Sequence, residues 1–410
     1  MPAAFLVGFF QSVTVEFVGK IPVSELLLLI VLLHAALAVV STRALPAPLP
    51  SPRVLALVLL CQLVAFASYI VSDLWRESLP FDLVRGWVRM IFLPLNIASL
   101  ALLFGAGNIT FVFLHIGIVC SLIFPYLGPP LFHDYWKFCF GYPITLVILL
   151  ATPRLFGFRA TVGATVGLGF LHLIMSFRSL GMTCFFLAAL LVVANTLPRL
   201  WRKYLFIICT PVFVVASPWV LESFLTGGQG TATRSNVERS AMIQAAWEGF
   251  LESPLIGNGS WFSKSDVWDN FLMIRSQKAR ESGQGLGFDP RDFEGVAIHS
   301  QILTALAEGG ILGGTFFLMY TVLIVAGLWF MLTDASWHYL MPLRLLILVS
   351  GLYGVFMDPF SGTSRLSIGI TVALSLVLLT EKALISRSLR ATPTVCSRQL
   401  LARGAPSKPS

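Results

Sequence analysis

Charge is scarce in this sequence. Only 12% of the 410 residues are Asp, Glu, Lys or Arg, where a soluble domain carries roughly 25%. With 56% hydrophobic residues and a mean hydropathy of +0.83, a water-soluble globule is excluded. Cysteine is sparse and unpatterned, at 61, 120, 139, 184, 209 and 396, with no Cys-x-x-Cys spacing, so neither a disulfide framework nor a zinc site is indicated. Alternating polarity, the mark of a transmembrane barrel, is missing from stretches such as Val23 to Ser41 and Leu366 to Thr380. A cleavable leader is missing too: Met1 to Gln11 has no basic start and no small-residue cleavage site follows, so the N-terminus is expected to be retained.

What is present is a succession of apolar runs near the ~20 residues that cross a bilayer. Hydropathy places spans at roughly 5–19, 22–41, 53–72, 86–105, 108–124, 137–152, 157–174, 179–197 and 203–221. The pattern stops for 77 residues, Glu222 to Ile298, and resumes near 302–330, 339–357 and 366–385. The expectation is an all-α polytopic membrane protein of about twelve transmembrane helices with one large loop. Its parts are an N-terminal bundle over 1–221, the loop over 222–298, a C-terminal group of helices over 299–386 and a basic tail over 387–410, expected to be disordered. Internal repeats and paired Gly/Pro-broken helices are not seen, which argues against a secondary transporter.

The basic residues set an orientation. Arg43 and Arg53, Arg154 and Arg159, Arg199, Arg202 and Lys203, and the tail with Arg387, Arg390, Arg398, Arg403 and Lys408 fall in alternate connections, which the positive-inside rule assigns to the cytoplasm. That tail supplies five of the eight net charges, so the basic balance points to the membrane surface and not to nucleic acid. The intervening connections, including Arg178, the long loop and Asp358 to Arg365, then face the other side. Trp247, Trp261 and Trp268 mark the loop as folded, lying against the membrane surface. Ser235 followed by Glu238 reads as a capping box. It predicts a helix from Asn236 to about Glu252 with Ile243, Ala246, Trp247 and Phe250 on one face, ending before Pro254 and the turn Gly257-Asn258-Gly259.

Five residues on the loop side are candidates for chemistry. Arg178 and Arg365 lie in short connections and read either as snorkelling interfacial arginines or as anion ligands. Arg239 falls in the first turn of the predicted loop helix with Arg234 just ahead of it. The helix dipole disfavours a cation there, so the arrangement makes sense with an anion held by guanidinium groups and free backbone N–H groups. His299 begins the segment in which the chain returns to the membrane. The positive end of that helix favours the neutral, proton-accepting imidazole, which suits a general base for a sugar hydroxyl; an interfacial histidine with no task is the competing reading. Glu308, nine residues on, lies about 13 Å deeper on the opposite face. It reads as a structural hydrogen-bond partner of a neighbouring helix. Gly309, Gly310, Gly313 and Gly314 read as a close helix contact. The loop acids Glu248, Glu252, Asp266, Asp269, Asp289, Asp292 and Glu294 are scattered and form no recognised metal set.

Two blocks carry a resemblance. Arg239 through Trp247 with Pro254, Leu255, Gly257 and Gly259, and then His299 to Gly313, resemble the arginine helix, Gly-x-Gly turn and histidine to Glu-x-Gly helix of the O-antigen ligase and O-antigen polymerase family of polytopic bacterial glycosyltransferases. Together they cover about 75 residues. Ser300 stands where the family commonly has asparagine, and Phe177 separates a serine and an arginine that often adjoin.

The resemblance implies a GT-C-like bundle in the bacterial inner membrane with its active site on the periplasmic face. It implies metal-independent, cofactor-free transfer of a saccharide from an undecaprenyl-diphosphate carrier to an acceptor hydroxyl on a glycan, a lipid A-core or a protein. His299 and Arg239 match its catalytic positions and Arg178 matches a diphosphate ligand; Arg234 and Arg365 join the diphosphate set from topology. Ligase, exopolysaccharide polymerase and protein O-oligosaccharyltransferase share this scaffold. A flippase or transporter of the lipid-linked glycan is the alternative from another class.

Overall fold

The computed structural model describes residues 1–16, 20–42, 52–123, 135–208, 231–260, 266–281, 300–357 and 362–391. Helices dominate them: α1 (Pro2–Phe9), α2 (Val23–Thr42), α3 (Pro52–Trp75), α4 (Pro80–Gly105), α5 (Asn108–Ile123), α6 (Gly141–Leu155), α7 (Gly157–Ile174) and α8 (Arg178–Thr196). They continue with α9 (199–208), α10 (Thr231–Glu252), α11 (Asp266–Glu281), α12 (Gln301–Thr333), α13 (Met341–Met357) and α14 (Gly362–Ala391). Among the described residues seven helices are long and apolar enough to cross a membrane: α2, α3, α4, α7, α8, α12 and α14. Shorter apolar helices, α5, α6 and α13, occupy three more of the predicted spans. Most of the predicted span at 203–221 lies outside the described residues.

The predicted span at 5–19 is corrected. Helix α1 has eight residues, about 12 Å at the α-helical rise and too short to cross a bilayer. A single 3-10 turn follows (Phe10–Ser12), and then a small antiparallel hairpin, β1 (Thr14–Glu16) with β2 (Lys20–Pro22), pairs Val15 with Ile21. Hydropathy merged the apolar helix with the exposed strand Thr14–Glu16 that follows it and returned one long segment. The α1 backbone meets α5 so closely that a Cβ on Gly8 or Gly117 would collide with the other helix.

Successive helices alternate in direction, so their ends fall on two faces. The loop face receives the ends of α3 and α7 and the starts of α4, α8, α12 and α14. At the other face Arg199 and Lys382 both pair with Asp334, the latter at 3.1 Å, Arg344 pairs with Glu381 at 3.5 Å, and Arg154 sits over the Tyr339 ring. The apolar core is continuous through Leu93, Leu100, Leu114, Leu187, Phe316, Tyr320, Leu346 and Val372, all buried. Outward residues such as Leu37, Leu63 and Val322 are exposed, as lipid-facing positions are.

Candidate functional site

Helix α12 is broken near its start. Ser300 is its N-cap, with extended backbone and a side-chain oxygen accepting the Leu303 amide at 3.3 Å. Gly310 interrupts the helix with φ +62°, a left-handed value that glycine accepts without a Cβ penalty. The break leaves backbone groups without their helical partners. The loop supplies replacements: the amides of Asn258 and Gly259 donate to the carbonyls of Ala307 and Glu308 at 2.9 Å each, and the Ile311 amide donates to Pro254 O at 2.8 Å. The Asn258 carboxamide donates to Gly249 O of α10 at 2.7 Å and to Ala307 O at 3.3 Å. The turn 254–260 and the segment Glu308–Gly313, read separately from the sequence, are thus two halves of one hydrogen-bonded junction.

Helix α3 holds this junction from the other side. Ser68 Oγ donates to Gly309 O at 2.7 Å, Ser72 Oγ to Glu308 O at 3.2 Å, and Arg76 Nη2 to Asn258 Oδ1 at 2.8 Å. Asp73, fully buried, accepts from the Ser260 amide and hydroxyl, the Trp87 indole N–H at 3.0 Å and the Ser78 hydroxyl at 3.1 Å. Glu308 is buried, paired with Arg89 of α4 and accepting from the Tyr69 hydroxyl at 2.9 Å. This fits its reading as a structural partner. Gly309 and Gly313 let the Tyr69 ring approach, the close contact read from the glycine spacing.

Helix α10 corrects the local reading of the loop. It starts at Thr231, not Asn236, and runs through the Ser235-to-Glu238 capping signature. Arg239 is therefore its ninth residue, and Arg234 occupies the first turn instead. The dipole argument moves with that shift from Arg239 to Arg234. The predicted face is also split: Ala246 is buried against Ala307 and Leu303 of α12, whereas Ile243 and Trp247 are 40% and 48% exposed. The buried face consists of small residues, Ala241, Ala245, Ala246 and Gly249, with Met242, and packs on Phe271 and Ile274 of α11. The side chains of Arg234 and Arg239, and His299 entirely, lie outside the described residues. What the described residues establish is that the helix of Arg239 packs on the helix that starts two residues after His299.

Arg178 is the first residue of α8 and half-buried. The preceding turn is fixed by the Phe177 amide on His172 O at 2.8 Å, and the His172 ring is held between Thr145 and Trp136. Beside Arg178 opens a cavity of about 390 Å³, mainly apolar, lined by Ile118, Leu122, Leu180 and Ile370 together with polar residues such as Ser12, Tyr142, Ser179 and Ser367. Arg365, two residues before Ser367, is buried and forks onto Glu25, with Nε to Oε1 at 2.9 Å and Nη2 to Oε2 at 2.8 Å. Asn96 donates to the same carboxylate at 3.0 Å. A diphosphate at Arg365 would compete with that carboxylate.

The sequence reading missed Asp73, Arg89, Tyr69 and Gln301. A guanidinium inside an apolar run, that of Arg89, and a carboxylate at the edge of one, that of Asp73, were the available signals for the first two. Gln301 is 1% exposed and its carboxamide oxygen has no hydrogen-bond partner among the described residues, an unusual state for a buried polar atom.

No curated protein matches this chain by sequence. A protein-family comparison does: residues 164–318 match the family model described as O-antigen ligase. That segment encloses Arg178, Arg234, Arg239, the 254–260 turn, His299 and the broken start of α12, and leaves Arg365 outside. Over this segment the chain is similar to the O-antigen ligase family.

Proposed function

We propose that this protein is an inner-membrane glycosyltransferase that moves a saccharide from an undecaprenyl-diphosphate carrier to an acceptor hydroxyl, as an O-antigen ligase or an O-antigen or exopolysaccharide polymerase. The observation that carries the reading is the junction of the turn 254–260 with the break in α12, inside the segment that matches the family model. It ties the helix of Arg239 to the helix that follows His299.

In this reading Arg239, Arg234 and Arg178 neutralise the diphosphate as the bond from its oxygen to the sugar's anomeric carbon breaks, because guanidinium groups stabilise localised negative charge in a desolvated site. Arg365 is the weakest member of the set, given its pairing with Glu25. His299 takes the proton of the acceptor hydroxyl, which attacks the anomeric carbon, or positions that hydroxyl. The cavity beside Arg178 joins a mainly apolar wall, with Ile118, Leu122, Leu180 and Ile370, to a few polar residues such as Ser12, Tyr142 and Ser179, the kind of lining in which a small number of polar groups orients a bound ligand. No metal or cofactor is assigned a part, and the site faces the periplasm.

Arg239→Ala and His299→Ala are expected to abolish glycan transfer while membrane insertion stays intact. Full activity in both variants removes the proposed site. Deletion of the gene followed by glycan analysis separates the two subclasses: accumulated long lipid-linked polymer marks a ligase, single capped repeats or absent polymer a polymerase.

A further inference from the structure

Helix α10 has three sides. Taken at 100° per residue, Ala241, Met242, Ala245, Ala246 and Gly249 form one sector, buried against α11 and α12. Gln244, Glu248 and Glu252 form a second, polar sector in which the Gln244 carboxamide donates to Glu248 at 2.9 Å. The third sector is apolar and uncovered: Ile243, Trp247 and Leu251 follow one another at four-residue spacing and are 40%, 48% and 58% exposed, with Phe250 beside Trp247 at 5.3 Å between ring centroids.

A soluble surface does not leave such a row in water. Its continuation identifies what covers it. Leu255, 65% exposed, follows the helix, and the carbonyls of Pro254 and Leu255 accept from the amides of Ile311 and Leu312. Ile311 and Leu312 are themselves exposed and lie in the candidate span Gln301–Thr333, whose exposed residues include Leu318 and Val322. The row on α10 is therefore followed, through Leu255, by the exposed apolar side of a helix long and apolar enough to cross a membrane.

We infer that α10 is an interfacial helix whose Ile243, Trp247 and Leu251 row rests in the acyl-chain margin of the bilayer, with Gln244 and Glu248 toward water. An indole at the boundary between hydrocarbon and headgroups matches the preference of tryptophan. By spacing, Arg239 is the preceding position of the same row, about 18 Å from Leu251 along the helix. Under the proposed function, a carrier lipid with an anionic head and an isoprenoid tail meets a basic and then an apolar stretch of one helix.

The test uses the full chain in nanodiscs of phosphatidylethanolamine and phosphatidylglycerol, with a photoreactive benzoylphenylalanine at 247, 251, 244 or 248 and all native cysteines kept. At 247 and 251, most adducts should carry the mass of a phospholipid; at 244 and 248, few should. Spin labels coupled to an azide-bearing residue at 251 or 248, which leaves the native thiols unlabelled, give the second measurement: collisions with oxygen should exceed those with a water-soluble nickel chelate at 251 and reverse at 248. Adducts of 247 and 251 with the chain itself or with another protein, or equal nickel access at 251 and 248, overturn the inference. Neither measurement needs glycan transfer, so a failed transfer assay and a failed lipid contact are told apart.

Discussion

Asp73 of α3 accepts both the backbone amide of Ser260, at 2.5 Å, and its hydroxyl, at 2.8 Å. One buried carboxylate thereby fastens the end of the loop turn to the membrane bundle. Asp73→Ala leaves the Ser260 amide and the Trp87 indole without acceptors, each costing ~1–3 kcal/mol. We expect a lowered Tm in detergent and faster proteolysis within 222–298, with Asp73→Asn falling between the variant and the parent. An unchanged cleavage pattern in Asp73→Ala would show that the turn is held without Asp73, by α12, Arg76 and the Asn258 carboxamide.

Gly310 and Gly257 both have left-handed φ, +62° and +75°, and a Cβ on either would collide with the backbone of the opposite strand of the junction. Gly310→Ala and Gly257→Ala are each expected to destabilise by more than ~1 kcal/mol, since strain and collision add. Gly163 in α7 has open space around it and ordinary helical backbone, so Gly163→Ala should be neutral or stabilise by ~0.5–1 kcal/mol. Equal thermal unfolding of all three variants would contradict the junction.

The Glu25 and Arg365 pair separates structural from substrate roles. Removing one partner of a buried pair costs ~3–5 kcal/mol, whereas replacing both by neutral groups of similar size is often tolerated. Arg365→Ala alone should unfold readily. Glu25→Gln with Arg365→Met should recover most of the stability. If the double variant also recovers glycan transfer, Arg365 serves the fold; if it folds and stays inactive, Arg365 also meets the diphosphate.

Stability should fall in mild acid through His338, in the connection between α12 and α13. Burial, and then the Arg344 charge, hold its pKa below the ordinary 6.5, against a smaller opposing effect of Glu381. The unfolded chain therefore binds the proton first, and stability contributed by the neutral ring is present above about pH 6.5 and is lost as pH falls toward the folded value. His338→Gln should flatten this part of the curve measured by thermal unfolding between pH 5 and 8. An unchanged slope would assign the acid sensitivity elsewhere.

The long spans were legible because a bilayer demands ~20 apolar residues whatever the neighbours are. Val23–Ser41 and Gln301–Thr333 stand close to their hydropathy. Segment 5–19 misled because composition does not record where a short helix gives way to a hairpin. Helix α10 began earlier than its capping signature because a cap in the sequence is only a local preference, which a helix with tertiary contacts on two sides can override.

The motif blocks were visible in the sequence, but their pairing was not. Spacing reveals that Gly257, Gly259, Gly309 and Gly310 permit unusual backbone, and not which carbonyls need which amides. Likewise the sequence offered Arg365 and Glu25 as two charges 340 positions apart, and their fork exists only once α2 and α14 pack.

By itself, then, the sequence determined the helical membrane class, the alternation of faces and the segments that hold the candidate chemistry, since hydropathy, charge placement and helix length act locally. Tertiary structure alone decided that the loop turn completes a broken helix, that Asp73 and Glu308 are buried fasteners, and that Arg365 answers Glu25. Those outcomes depend on satisfying buried polar groups, and the partner that satisfies each one comes from a distant part of the chain.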